Sequence, residues 1–137
     1  LNNSKQIQRP VFLKIAPDMT ESQLDDIVDI IITEQVDGVI AANTTINRAD
    51  LSTESSIVES LGAGGISGVP VRSQSTEVVK YLHEKSGGAF PIIGVGGIDS
   101  VESAREKLDA GASLVQVYTG MIFKGPGLAS QIIKGLK

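Results

Sequence analysis

Four short apolar runs recur along the chain, "PVFLKIAPD", "DGVIAANTT", "FPIIGVGG" and "SLVQVYTG", and none of them alternates apolar with polar residues. Uninterrupted runs of this kind suit strands buried on both faces, which occur in parallel sheets covered by helices. A helical pattern follows each run. The predicted class is therefore α/β, built from parallel βα units. Four such units cannot close a barrel of eight strands, which leaves half of a (β/α)8 barrel or a small open flavodoxin-like sheet.

The helices carry their own punctuation. In "TESQLDDIVDIIITEQ", Thr20 and Gln23 have capping-box spacing, and Leu24, Ile27, Val28 and Ile31 fall on one helical face. In "DSVESAREKLDAGA", Asp99 and Glu102 form the expected cap pair and Gly111 the C-terminal stop. A further helix is expected around residues 76–84, and a last one in "GPGLASQIIKGL", opened by Pro126. Residues 46–75, rich in Ser and Gly, predict a long excursion with possible short strands. Loops of that length in compact domains are typically lids or binding loops.

Composition excludes several chemistries. The 137 residues include no cysteine and one histidine, His83, so disulfide frameworks, thiolate metal sites and histidine-pair metal sites are set aside. His83 is expected at the surface, and Tyr81 with Leu82 in the core or at its boundary. A net charge of −4 without a Lys/Arg cluster gives no footprint for nucleic acid or an anionic membrane. No stretch approaches the roughly 20 apolar residues of a spanning helix. Small molecules are the expected partners. The opening "LNNSKQIQRP" lacks the regions of a signal peptide and suggests an excised or processed segment.

The strand ends supply candidate site residues. Gly96-Gly97 closes the third run and Thr119-Gly120 the fourth. In (β/α)8 barrels a phosphate commonly sits between the loops after the last two strands, held by backbone N–H groups. A Gly-Gly pair alone marks a turn; a second glycine-bearing strand end in the next unit points to an anion cradle that a side chain would obstruct. Lys14 lies inside an apolar run. A lone lysine usually snorkels to water, but buried neighbours would require an anionic partner for its ammonium. Asn43 and Thr44, just past the second run, are either turn formers or ligand contacts.

Five segments, "FLKIAPDMT", "ANTTINR", "GGISGVPVR", "IIGVGGIDSVESAREKLDAGA" and "LVQVYTGMIFKGPGL", resemble the motifs of the dihydroorotate dehydrogenases in the family's order, and specifically the class 2, quinone-dependent branch. The resemblance covers nearly the whole chain. It implies a (β/α)8 barrel that binds FMN at the C-terminal ends of its strands and oxidises dihydroorotate to orotate in pyrimidine synthesis. Lys14 matches the lysine beside the flavin N1/O2 edge, where a fixed cation stabilises developing negative charge. Asn43 matches an asparagine that hydrogen-bonds the orotate ring and is counted with the cofactor contacts, and Thr44 matches the adjacent substrate-contacting hydroxyl. Ser67 and Gly68 match the flavin-side loop. Gly96, Gly97, Tyr118 and Thr119 match the phosphate cradle, to which the strand-end reading adds Gly120. Ala42 stands where some relatives carry threonine.

The family passes a hydride from substrate C6 to flavin N5 while a serine removes the C5 proton, and the electrons leave to a membrane quinone. That serine, further substrate asparagines and the amphipathic quinone segment belong to the N-terminal half of the family pattern, which nothing in this chain matches. The resemblance thus makes residues 1–137 approximately the C-terminal half of the barrel, with "LNNSKQIQRP" as a mid-barrel helix-to-strand connection. Unpaired sheet edges would favour oligomers. The implied location is peripheral, at the cytoplasmic side of a bacterial inner membrane or at the mitochondrial inner membrane.

Overall fold

The computed structural model describes residues 9–49 and 51–137. The expected connection at the start of the chain lies outside them, apart from its last two residues. Four strands, β1 (Phe12–Ile15), β2 (Gly38–Ala41), β3 (Ile92–Val95) and β4 (Leu114–Gln116), form one sheet in the order β1-β2-β3-β4. All three pairings are parallel, so every connection crosses back over the sheet, as the uninterrupted apolar runs predict.

Helix α1 (Glu21–Thr33) links β1 to β2. The Thr20 and Gln23 capping box is present on both sides, and Leu24, Val28 and Ile31 are buried with Ile27 packed beside them. Between β2 and β3 lie the short α2 (Ser55–Ser60), a 3-10 turn (Val69–Val71) and α3 (Arg72–Ser86). The long excursion therefore contains a helix that the sequence reading lacks, and its only extended pairing among the described residues is the antiparallel bridge between Thr45 and Ile66. Helix α3 starts four residues before the expected 76–84 segment. His83 is exposed, Leu82 fully buried and Tyr81 half-buried.

Helix α4 (Val101–Asp109) follows β3. Its cap corrects the expected Asp99 and Glu102 pair: Ser100 is the N-cap and Ser103 completes the box, because the Asp99 carboxylate is taken by Arg72 at 2.6 Å. Gly111, at φ 106°, is the expected stop. After β4 come α5 (Thr119–Lys124) and α6 (Leu128–Leu136). Thr119 and Gly120 thus open a helix rather than end a strand, and Pro126 precedes the last helix by two positions.

The sheet has two unlike faces. Ile15, Val39, Ala41 and Ile92 are buried against α1 and α3 with Leu24, Val28, Val79 and Leu82, and Ile98, Ala104, Leu128 and Ile132 form a second cluster around α4 and α6. The strand registers align Lys14 with Ile40, Ile40 with Ile93, and Ile93 with Leu114, a row on the opposite face. There Ile40 and Ile93 are half-buried, while Lys14 and Leu114 are exposed. Of the two readings of Lys14, water or a buried anionic partner, the first holds: no helix of the described residues covers this face, which leaves the ammonium exposed.

Candidate functional site

At the C-terminal ends of the strands lies a cavity of about 230 Å³. It is lined by Lys14 from β1, Asn43 and Thr44 after β2, Ser67 and Gly68 from the excursion, Gly96 and Gly97 after β3, and Tyr118, Thr119 and Gly120 after β4. Every residue singled out in the sequence thus faces one space, although they span 107 positions from Lys14 to Gly120. Ala42, Val71, Val95, Ile98 and Gln116 complete the wall. The strand reading passed over Gln116; its signal was the two-residue step from Leu114, which puts it on the face that carries Lys14.

Among the described residues no carboxylate lines this cavity, although the chain carries 16 acidic residues. The one formal charge that the described residues bring to the wall is the Lys14 ammonium, and Asn43, Thr44, Ser67, Gln116, Tyr118 and Thr119 add neutral polar groups. The wall suits an anionic or strongly hydrogen-bonding ligand.

Three sets of ties fix the loops. Asp18 accepts from the Thr45 hydroxyl, from the Ile46 N–H at 3.1 Å and from Gln74 Nε2 at 3.2 Å. This joins the loops after β1 and β2 to α3 and steadies Asn43 and Thr44 between them. Burial pushes the Asp18 carboxyl upward, but the bonds from Thr45, Ile46 and Gln74 outweigh it and hold the group below its ordinary value. Thr119 Oγ1 donates to Ser67 Oγ at 2.9 Å, tying the excursion to the start of α5. Arg72 Nε donates to the Gly97 carbonyl at 2.7 Å while its terminal nitrogen pairs with Asp99.

The glycines work differently from the sequence expectation. Gly96 and Gly97 have φ of 126° and 70°, in the region glycine favours. A Cβ on Gly96 would meet Ser75 Oγ at 2.5 Å, and one on Gly97 would meet Arg72 Cβ at 2.4 Å. Both contacts lie on α3, so a side chain here would push against the helix behind the turn instead of obstructing a ligand directly. A Cβ on Gly120 would sit 2.1 Å from the Ile98 carbonyl oxygen, which shows how closely the turns after β3 and β4 approach.

A family model described as dihydroorotate dehydrogenase matches residues 2–137. The chain is 53% identical over 131 residues to "Dihydroorotate dehydrogenase (quinone)" of Vibrio atlanticus, covering 93% of this chain and 37% of that protein. It is 46% identical over 143 residues to the protein of the same name from a Cyanothece species, covering 100% of this chain and 38% of the relative. Among solved structures, the ligand-free DHODH of Eimeria tenella superposes with a TM-score of 0.86 at 38% identity, covering 94% of this chain and 35% of that one. The chain spans little more than a third of the length of the curated relatives it matches. Its four parallel βα units are units of a TIM barrel.

Proposed function

Since the chain belongs to the dihydroorotate dehydrogenase family, we propose that it forms the C-terminal four βα units of a quinone-dependent dihydroorotate dehydrogenase, holding the FMN phosphate and one side of the orotate site. The observation that carries this reading is the convergence of all ten sequence-selected residues on one cavity in which no described residue contributes a carboxylate. The residues fit an anionic flavin: the backbones after β3 and β4 approach so closely at Gly120 that a Cβ has no room, and a cation stands on the open sheet face.

In this reading Gly96, Gly97, Tyr118, Thr119 and Gly120 hold the phosphate, and Ser67 with Gly68 brackets the ring system. FMN supplies a hydride acceptor for dihydroorotate C6. Lys14 provides a fixed positive charge where negative charge collects, and does so without reorganisation during the reaction. Asn43 and Thr44 orient the substrate ring by hydrogen bonds. The base that removes the C5 proton belongs to a part of the protein outside these four units. The reaction places the protein peripherally at a quinone-bearing membrane; no helix among the described residues is long and apolar enough to cross one.

Intact mass combined with the visible absorption spectrum of the purified protein, with and without added FMN, tests the reading. A flavin spectrum that bleaches on adding dihydroorotate is the expected result for the full enzyme, and a flavin spectrum without bleaching for the 137-residue chain alone. A folded protein whose FMN spectrum is the same as that of free FMN overturns it.

A further inference from the structure

Lys107, on α4, is fully buried at 0% relative exposure and lies outside the wall of the cavity. Its ammonium donates to the Arg72 carbonyl at 2.8 Å, to Ser75 Oγ at 2.7 Å and to Thr76 Oγ1. An ammonium has three donors, and all three are used. None of the acceptors is a carboxylate, and Lys107 forms no ion pair among the described residues. A buried cation in neutral surroundings is costly, and burial pushes its pKa down to about 8.

The groups that Lys107 grips are those that hold the turn after β3. Ser75 Oγ accepts a hydrogen bond from the lysine ammonium on a lone pair, which turns its own hydrogen toward the Arg72 carbonyl at 3.0 Å and the Gly96 carbonyl at 3.3 Å. Arg72, whose carbonyl Lys107 holds, donates to the Gly97 carbonyl. Both glycine carbonyls therefore point at α3. In a planar trans peptide the N–H lies opposite the carbonyl, so the N–H groups of Gly97 and Ile98 point away from α3. Both residues line the cavity. Two successive N–H groups with one heading form a concavity suited to an anion.

We infer that Lys107 is a positioning residue for the phosphate cradle: through Ser75 and Arg72 it fixes the heading of the Gly97 and Ile98 N–H groups, and it places an uncompensated positive charge behind them. This rests on the reading that the turn after β3 holds the flavin phosphate. The cation then offsets charge on a group that it never touches.

FMN and riboflavin differ only by the phosphate, so their dissociation constants separate this role from general support of the fold. Both are measured by flavin fluorescence on flavin-free wild-type protein, Lys107→Met and Ser75→Ala, with far-UV circular dichroism confirming the fold. Lys107→Met is expected to weaken FMN about tenfold relative to riboflavin, through loss of a nearby positive charge and of the N–H heading it fixes. Ser75→Ala is expected to shift the same ratio about threefold and decides the matter if Lys107→Met does not fold. An unchanged ratio in the folded variants, whether or not both affinities fall together, overturns the inference. A wild-type protein with no preference for FMN over riboflavin instead removes the phosphate reading itself, before any substitution is made.

Discussion

Arg72 grips Gly97 from behind: its Nε donates to the Gly97 carbonyl at 2.7 Å, and the Cβ that this glycine lacks would lie 2.4 Å from the Arg72 Cβ and 2.8 Å from its Cα. Hydrogen bond and missing side chain are two parts of one contact. Gly97→Val must force Arg72 off the turn and strain a backbone held at φ 70°. The expected loss of stability is about 1–3 kcal/mol, read by urea denaturation, together with loss of bound FMN. Undiminished FMN occupancy in purified Gly97→Val would sink the cradle assignment.

Lys14→Ala should separate chemistry from folding. The side chain is exposed on the open sheet face of the 137-residue chain, so the stability of that chain should change by no more than about 0.5 kcal/mol. The rate of flavin reduction by dihydroorotate in the full enzyme should fall at least about tenfold, in line with removal of one stabilising donor. Stopped-flow absorbance gives that rate, and an unchanged value would contradict the electrostatic role.

Asp18 predicts an acid limit. Its folded carboxyl lies below the ordinary value of 3.8 because the bonds from Thr45, Ile46 and Gln74 outweigh burial. A depressed carboxylate contributes stability that is fully present above the ordinary value and is lost as pH falls through the folded one. The stability difference between wild type and Asp18→Ala should therefore be constant near neutrality and shrink as pH drops below about 4. Urea titrations across that range check it; a difference independent of pH would show that the clasp does not depend on the charge.

Lys107 predicts the opposite limb. Its folded pKa of about 8 lies below the ordinary 10.5, so between these values the unfolded chain binds more protons than the folded one. This group's contribution to stability rises with pH over that window. Burial is the leading cause; Glu106, on the same helix, opposes the shift and Arg72, on α3, adds to it. Wild type should gain on Lys107→Met as pH rises from about 8 toward 10, measured by denaturation at paired pH values. A gap that narrows or stays flat would mean that the ammonium is better solvated than its burial implies.

How far the sequence reached is clearest at α4. Asp99–Glu102 and Ser100–Ser103 share one spacing, offset by a single residue, and local pattern cannot choose between them. The choice comes from Arg72, which lies 27 residues upstream and claims Asp99. The α1 capping box was legible because both partners lie within one turn. Helix α5 was not: "TGMIFK" continues an apolar run, and only the close approach of Gly120 to the Ile98 carbonyl shows that the chain has already turned. The sequence left Lys14 open between water and a buried partner because uninterrupted apolar runs imply two covered faces, whereas helices cover one among the described residues. Of the ten cavity-lining residues, Asn43, Thr44, Gly96, Gly97, Thr119 and Gly120 were legible from where the apolar runs end and Lys14 as a charge inside one, whereas Ser67, Gly68 and Tyr118 came only from the resemblance. The network behind them, from Lys107 through Ser75, joins residues 32 apart and leaves no local signature.

The ties at the strand ends all run between different units: Asp18 to Thr45 and Gln74, Arg72 to Gly97 and Asp99, and, reaching past the β3 unit, Thr119 to Ser67. No single unit owns its share of the pocket wall. Such a pocket forms cooperatively, since each loop is held in its working shape by a unit other than its own. A chain in which one unit frays would lose ligand recognition across the whole wall well before its sheet came apart, and binding would report the integrity of this half of the molecule earlier than any measure of secondary structure.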